Sequence, residues 1–452
     1  MNTKEKVVQL TDEMIASLGR LVKYNSELAD AKPGKPFGDE TYACLEEALS
    51  MAESMGFKTK NLDGYCGYAE MGEGKDILGI VAHLDIVPVG DGWDTDPFQI
   101  VQKDGVLYGR GVSDDKGGAV CALYAMKLLK DEGIPMNKRV RLLFGCNEET
   151  GMKCMEHYNK VEEPITLGFT PDGSFPGIYG EKGHMHMDVT SKNTKIISMN
   201  GGFVTNAVCH RCETVIPAGA VDVEALKAAL AATELKEFTL TEEDGKLTIL
   251  AIGASAHAST PWLGVNAAGY TMKALAEAGF EDDFVKYYNS HIGCKGTGEG
   301  FNIGIEDEYG ALTLCNGVVK TVDGVINCTI DIRVPVTFHE PEIRERIKDR
   351  LEDENGKCEI KAIGEPLFFP VDSPMVKALV DAYVKITGDT ETKPMVIGGG
   401  TYAKAIPGII AFGCEFPGAI THIHEPNECM EIDHMQKQVE IYVEAIQNLL
   451  AL

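Results

Sequence analysis

One stretch limits what this chain can fold into more than any other: Ile77-Leu78-Gly79-Ile80-Val81-Ala82-His83-Leu84-Asp85. An apolar run of this length reads as a buried strand. It ends in an imidazole and, two residues on, a carboxylate. In an extended chain residues i and i+2 share a face, so His83 and Asp85 point the same way. An aspartate beside a histidine can hold one ring nitrogen and leave the other for a metal. Taken alone, His-X-Asp also fits a hydrogen-bonded histidine at a strand edge, and the residues downstream decide between the two.

Beyond His83 the pattern alternates. A mostly apolar helix is expected from about Lys116 to Lys130, a strand over Arg139–Gly145 that runs into Asn147-Glu148-Glu149-Thr150, and a strand over Thr166–Thr170 that runs into Pro171-Asp172-Gly173. Two helices precede His83, at about Lys4–Tyr24 and Asp39–Met55, with short strands near Phe57–Asn61 and Gly67–Met71 and, after it, a hairpin near Phe98–Leu107. Alternation of this kind predicts an α/β sheet, mixed and mostly parallel, flanked by helices and carrying its chemistry at one edge. After His184 the pattern changes to strands near 185–190, 247–252 and 312–330, with helices near 223–231, 267–278 and 341–352. This predicts an α+β insert. From about 365 the alternation resumes and ends in a helix over 433–450. The expected division is a catalytic domain of residues 1–184 plus 361–452, interrupted by an inserted domain of residues 185–360.

The totals narrow the class. A chain of 452 residues exceeds one core, so two domains are the prior. Acidic residues number 69 against 42 basic ones, a formal charge of −27, which argues against nucleic acid or an anionic membrane as partner. No apolar run approaches a membrane span. The first residues lead into an amphipathic stretch rather than a signal-peptide core. The 13 cysteines lack paired metal-site spacing, and several lie in apolar patterns, so they read as reduced core residues of a cytoplasmic protein.

His83, Asp114, Glu149 and Asp172 are expected at or just past strand ends of one sheet. So many acids cannot sit together uncompensated, and bound cations remove the penalty. A borderline ion such as zinc accepts imidazole and carboxylate together. Two ions sharing one carboxylate would take about five such ligands. The fifth candidate is His424, in the returning half of the first domain. Glu148 diverges from Glu149 at a strand end and can face substrate as a proton carrier.

In combination, His83-Leu-Asp85, Gly109-Arg-Gly-Val-Ser-Asp114-Asp-Lys-Gly, Asn147-Glu148-Glu149 and Pro171-Asp172-Gly173 resemble the two-metal peptidases related to aminoacylase, carnosinase and glutamate carboxypeptidase. Gly398-Gly399-Gly400-Thr401-Tyr402-Ala403 and His424-Glu-Pro-Asn427-Glu428 are similar to the PepV-type bacterial dipeptidases among them. The resemblance implies that His83 and Asp172 bind one metal, that Glu149 and His424 bind the other, and that Asp114 bridges both with a cis peptide bond to Asp115. It further implies that Asp85 orients His83 and that Glu148 is general base and acid. The insert resembles the family's lid. There His257, within Gly253-Ala-Ser-Ala256-His257-Ala258-Ser259, would stabilise the oxyanion, while Asn206 and Arg333 would contact substrate. Arginine's forked donors suit a carboxylate. Gly399, Gly400 and Thr401, in a glycine run before a short helix, expose backbone N–H groups that can hold a substrate carboxylate. Asn206 departs from the family in being followed by Ala-Val-Cys-His-Arg-Cys.

The activity expected is hydrolysis of dipeptides with a free amino terminus. Two divalent ions are required, zinc first, with manganese and cobalt also suited to these ligands. A monomer is expected, with a homodimer as the alternative. Two other functions remain open at this point: a deacylase or desuccinylase of N-acyl amino acids, and a metal-free binding protein that keeps the fold.

Overall fold

The computed structural model describes residues 2–452. It comprises two compact units. The first runs to Gly180 and resumes over Phe369–Val396 and Gly400–Leu452; the second is Glu181–Phe368 with Ile397–Gly399.

In the first unit the strand Ile77–His83 is buried at all seven positions, as its uninterrupted apolar sequence requires. It lies between Arg139–Gly145 and Leu167–Thr170 and is parallel to both. Ile409–Ala411 adds a further parallel strand beside Leu167–Thr170. Antiparallel strands extend this sheet, with Lys58–Leu62 and Cys66–Met71 on the Arg139–Gly145 side and Ile178–Glu181 beyond Ile409–Ala411. The sheet is therefore mixed, with its parallel strands at the centre. The helices Thr3–Val22, Lys116–Asp131, Pro374–Thr387 and Ile432–Leu450 pack together, and Lys116–Asp131 and Ile432–Leu450 lie against the sheet. Lys116–Asp131 is buried along most of its length because it lies between the sheet and the neighbouring helices. Its start sits close under the preceding loop: a Cβ on Gly117 would lie 1.9 Å from the Val112 carbonyl oxygen.

A separate three-stranded sheet joins Val101–Lys103, Val106–Tyr108 and Cys429–Glu431. It brings the loop after Tyr108 against the loop before Cys429, two segments far apart in sequence.

The second unit is built on one eight-stranded antiparallel sheet, in the order Glu237–Glu243, Lys246–Ile252, Arg211–Pro217, Ser198–Gly201, Thr313–Val322, Val325–Val334, Gly183–Ser191, Gly356–Gly364. Burial alternates residue by residue along Gly183–Ser191, so one face of the sheet is packed. Leu226 and Leu230, Met272 and Leu275, Phe284, and Ile343 and Ile347 come from four helices and share a core with Met185, Met187 and Val189. The strand expected over 312–330 is a hairpin, turned at Asp323-Gly324, where both residues have positive φ (50° and 77°). Asp-Gly is a strong signal for that turn. The helix expected over 341–352 is Glu340–Ile347, followed by a 3₁₀ turn at Lys348–Arg350.

Candidate metal centre

Four candidate groups follow the ends of neighbouring parallel strands. His83 ends its strand, Glu148 and Glu149 follow Arg139–Gly145, and Asp172 follows Leu167–Thr170. Asp114 arrives differently. It follows no strand of this sheet, but ends the loop that leaves the three-stranded sheet and enters Lys116–Asp131. The Asp114–Asp115 peptide is cis. His424 lies in the loop before Cys429–Glu431, with positive φ at His422, His424 and Asn427. That loop closes on itself through Cys429 N–H to the Thr421 carbonyl, 2.8 Å.

The side chains converge. His83 Nε2 is 2.9 Å from Asp114 Oδ1, and His424 Nε2 is 2.9 Å from Asp114 Oδ2 and 3.3 Å from Glu149 Oε1. Two sets of donor atoms each lie within 4.8 Å of one another: His83, Asp114 and Glu149, and His83, Glu148 and Asp172. His83 Nδ1 is 2.9 Å from the Asp85 carbonyl oxygen, which can only accept, so Nδ1 carries the proton. In the neutral ring, Nε2 then presents a lone pair to a carboxylate oxygen. Two lone pairs at that distance need a proton or a metal cation between them. Two ligands at about 2.0–2.2 Å from one ion stand roughly 2.8–3.6 Å apart for angles near ~90–110°. The His83–Asp114, His424–Asp114 and His424–Glu149 separations fall in that range.

The electrostatics agree with the donor set. Burial opposes charge on His83, yet the hydrogen bond and charge of Asp114, with the charges of Asp85 and Asp115, carry it well above the usual imidazole range. Hydrogen bonds to Asp114 and Glu149 likewise raise His424, which keeps half its side chain open to solvent. Burial pushes Asp114 up, but hydrogen bonds from His424 and His83 outweigh it and hold the carboxyl below its usual range. A pocket that draws protons onto its imidazoles is short of positive charge, and divalent ions supply that charge. The residues present therefore fit a metal. Burial first, and the charge of Asp172 second, push the Glu148 carboxyl well above its usual range, which suits a group that holds and releases a proton.

Asp85 is placed otherwise than expected. Its main-chain carbonyl, not its carboxylate, makes the close contact with the His83 ring; the nearest carboxylate oxygen is 3.6 Å away. The carboxylate instead accepts the main-chain N–H groups of Glu148 and Glu149, at 3.0 and 3.1 Å. Strand pairing explains this, since His83 is in register with Gly145 and the residues just beyond the two strands meet.

The second unit gathers another set. Residues 207 and 257 form a β-bridge, and Ala258 N–H donates to the Asn206 carbonyl at 2.8 Å, so the Asn206 and His257 segments run side by side. His257 Nδ1 accepts from the main-chain N–H of Ser259 at 3.2 Å and lies 2.7 Å from its hydroxyl, which leaves the ring proton on Nε2. Arg333 is not an open fork. Nε and one terminal nitrogen are held by the fully buried Asp331, at 2.7 and 3.0 Å, and Nη1 donates to the Gly398 carbonyl at 3.1 Å. The i, i+2 spacing puts acid and arginine on one strand face. Gly399 lies with Gly398 in this unit, whereas Gly400 and Thr401 belong to the first. The Thr401 hydroxyl accepts Ala403 N–H at 3.1 Å and caps the short turn that carries Tyr402.

Three buried groups to which the sequence reading gave no role support these residues: Asp331; Tyr402, whose ring meets His83 edge-on at 6.2 Å; and Glu428. Of these, Asp331 alone had a usable sequence signal, an acid two residues before Arg333 on one strand face.

The comparisons with known proteins bear on this geometry. The model of peptidase family M20/M25/M40 matches residues 79–448. The Bacillus subtilis (strain 168) protein named "Putative dipeptidase YtjP" is 35% identical over 466 residues, covering 99% of this chain and 100% of that one. Human carnosine dipeptidase 1 shares the fold with a TM-score of 0.60 and 14% identity, over 100% of this chain and 98% of that one. The Bacillus subtilis YXEP protein, a dinuclear metal binding peptidase, matches with a TM-score of 0.51 and 12% identity, over 97% and 98%. A family match spanning most of the chain, together with a full-length relative at that identity, leaves one conclusion: the chain belongs to peptidase family M20/M25/M40 and is a metallopeptidase.

Proposed function

We propose that this protein is a two-metal dipeptidase acting on dipeptides with a free amino terminus. The observation that carries this is the convergence of His83, Asp114, Glu149 and His424, with Asp172 and Glu148 beside His83. In this reading His83 and Asp172 would hold one divalent ion, Glu149 and His424 the other, and Asp114 would be shared between them. The chemistry that ions bound there supply is Lewis-acid polarisation of the scissile carbonyl and acidification of water. Zinc is the first choice of metal, with manganese or cobalt as alternatives.

The remaining roles fall to the chain's own side chains. Glu148 takes the proton of the attacking water and passes it to the departing amine. His257 donates from Nε2–H to the developing oxyanion. The donors that Arg333 retains beyond Asp331, and the N–H groups at Gly399, Gly400 and Thr401, receive the substrate carboxylate, with Asn206 alongside. Acids near Asp172 receive the free amino group. Gripping both ends limits length. In this reading the second unit, Glu181–Phe368 with Ile397–Gly399, is the lid domain and the first unit the catalytic domain. All 13 cysteines are unpaired thiols, which suits a reducing cytoplasm, and no described helix is long and apolar enough to cross a membrane. We take the working form to be a monomer.

The test is hydrolysis by metal-reconstituted enzyme of a panel of dipeptides, tripeptides, and N-acetyl and N-succinyl amino acids. Dipeptides should be cleaved fastest. In Glu148→Ala, kcat should fall by about 10²–10⁴ with metal content retained. Equal turnover of tripeptides overturns the length limit, and preference for the acyl amino acids overturns the dipeptidase reading in favour of a deacylase.

A further inference from the structure

The loop Arg110–Asp114 ends in the residue that touches both imidazoles, yet it has little regular structure of its own. What holds it is Glu428, 314 residues away from Asp114 in sequence and almost wholly buried. One carboxylate oxygen accepts the main-chain N–H groups of Ser113 and Asp114, at 2.9 and 3.0 Å. The other accepts Gly111 N–H at 2.9 Å and the Arg110 guanidinium at 2.8 Å. The Glu428 carbonyl accepts Gly109 N–H at 3.1 Å, and the next carbonyl, of Cys429, accepts the Ser113 hydroxyl at 2.9 Å. Arg110 balances the buried charge and stacks over Trp93, 5.2 Å from the ring centre.

This arrangement needs a carboxylate. Four donors approach from two sides, two to each oxygen. A glutamine presents an NH₂ to one of the two donor pairs whichever way its amide faces, and a buried N–H left unmet is expensive. Full use of its oxygens also explains why Glu428, a buried acid beside the cluster, stands apart from the metal-ligating set. The same residue lies on the His424 loop. His424 Nε2 reaches Asp114 Oδ2 at 2.9 Å from one end of that loop, while Glu428 grips the Asp114 main chain from the other.

We propose that Glu428 is the positioning residue of the metal centre: by clasping the Gly111–Asp114 main chain from the His424 loop, it sets the separation between Asp114 and His424. The inference rests on the assignment of those two side chains as metal ligands. It makes Glu428 act through Asp114 and His424, without touching metal or substrate.

The test compares wild type, Glu428→Gln and Glu428→Asp. Each is stripped with a chelator, shown to be folded by circular dichroism, and titrated with Mn²⁺ or Co²⁺ alone against a chelating indicator. Glu428→Gln should lose about 10–100-fold in metal affinity, the usual cost of removing a group that orients metal ligands. Its Co²⁺ complex should show an altered visible spectrum. Glu428→Asp keeps the charge and both acceptors on a shorter arm, and should lose about tenfold. That loss cannot come from removal of a negative charge, and this variant decides the question if Glu428→Gln does not fold. A role confined to stability lowers the apoprotein melting temperature and leaves affinity and spectrum unchanged. That result, or affinities in both variants within about threefold of wild type, overturns the proposal. Failure of wild type to bind either ion contradicts the metal assignment itself and is read separately.

Discussion

Replacing Asp85 with asparagine isolates one joint of the site. Both carboxylate oxygens accept a main-chain N–H, from Glu148 and from Glu149, in a buried setting. Asparagine keeps one acceptor and turns an NH₂ toward the other donor. The loss of one charge-assisted hydrogen bond, with its donor left unmet, costs about 1.5–3 kcal/mol. At roughly 2–4 °C per kcal/mol for a domain of this size, the apoprotein melting temperature should fall by about 3–12 °C. The hydrogen bond that fixes the His83 ring goes to the Asp85 main chain and survives. The displaced residues are the proposed proton carrier and a proposed ligand, and a shift of about 1 Å at such a group costs on the order of 10²-fold in rate. Thermal melts of the metal-free protein and kcat on a dipeptide at saturating metal check the two numbers. If kcat stays within about threefold of wild type while the melting temperature falls as expected, the carboxylate supports the fold and not the placement of Glu148, and the reasoning fails.

Single contacts give three further expectations. A Cβ at Gly145 would lie 2.1 Å from the Tyr402 hydroxyl, and that ring is fully buried, so Gly145→Ala should cost about 1–3 kcal/mol in urea unfolding. Arg333→Lys loses the fork that Asp331 holds, so wild type should prefer a dipeptide over its C-terminal amide and the variant should largely lose that preference, mainly through KM. Hydrogen bonds from Thr392, Tyr383 and Glu391 hold the Asp389 carboxyl below its usual range. A depressed folded value means that the stabilisation is complete above the unfolded value, about 3.9, and is lost as pH falls through the folded one. Asp389→Ala should therefore lower the melting temperature most at neutral pH, with the difference shrinking in acid; a difference independent of pH contradicts this.

The parts of the fold legible in the sequence are those where one local pattern decides. Ile77–His83 is one, being apolar at every position before His83 and buried throughout. Val223–Ala231 is another, with Asp222 capping its first turn. The positions of His83, Glu148, Glu149 and Asp172 beyond successive strands could be anticipated because strand ends are local features. The route of Asp114 could not, because the small sheet that delivers it needs Cys429–Glu431 from near the far end of the chain. The same distance hid Glu428, whose partners are main-chain groups of a loop that has no periodicity. The hold of Asp331 on Arg333 was within reach, since i and i+2 share a strand face, but an Asp-Ile-Arg triplet does not say which side chain is free for substrate. The turn at Asp323-Gly324 carried its own signal inside a run of β-branched residues.

The most direct test of the account is a crystal structure of the metal-loaded enzyme with anomalous data collected at the metal edge. Two peaks are expected about 3.5–4 Å apart on either side of the Asp114 carboxylate, one against His83 and Asp172 and the other against Glu149 and His424. A single peak, or ions bound away from Asp114, would contradict it.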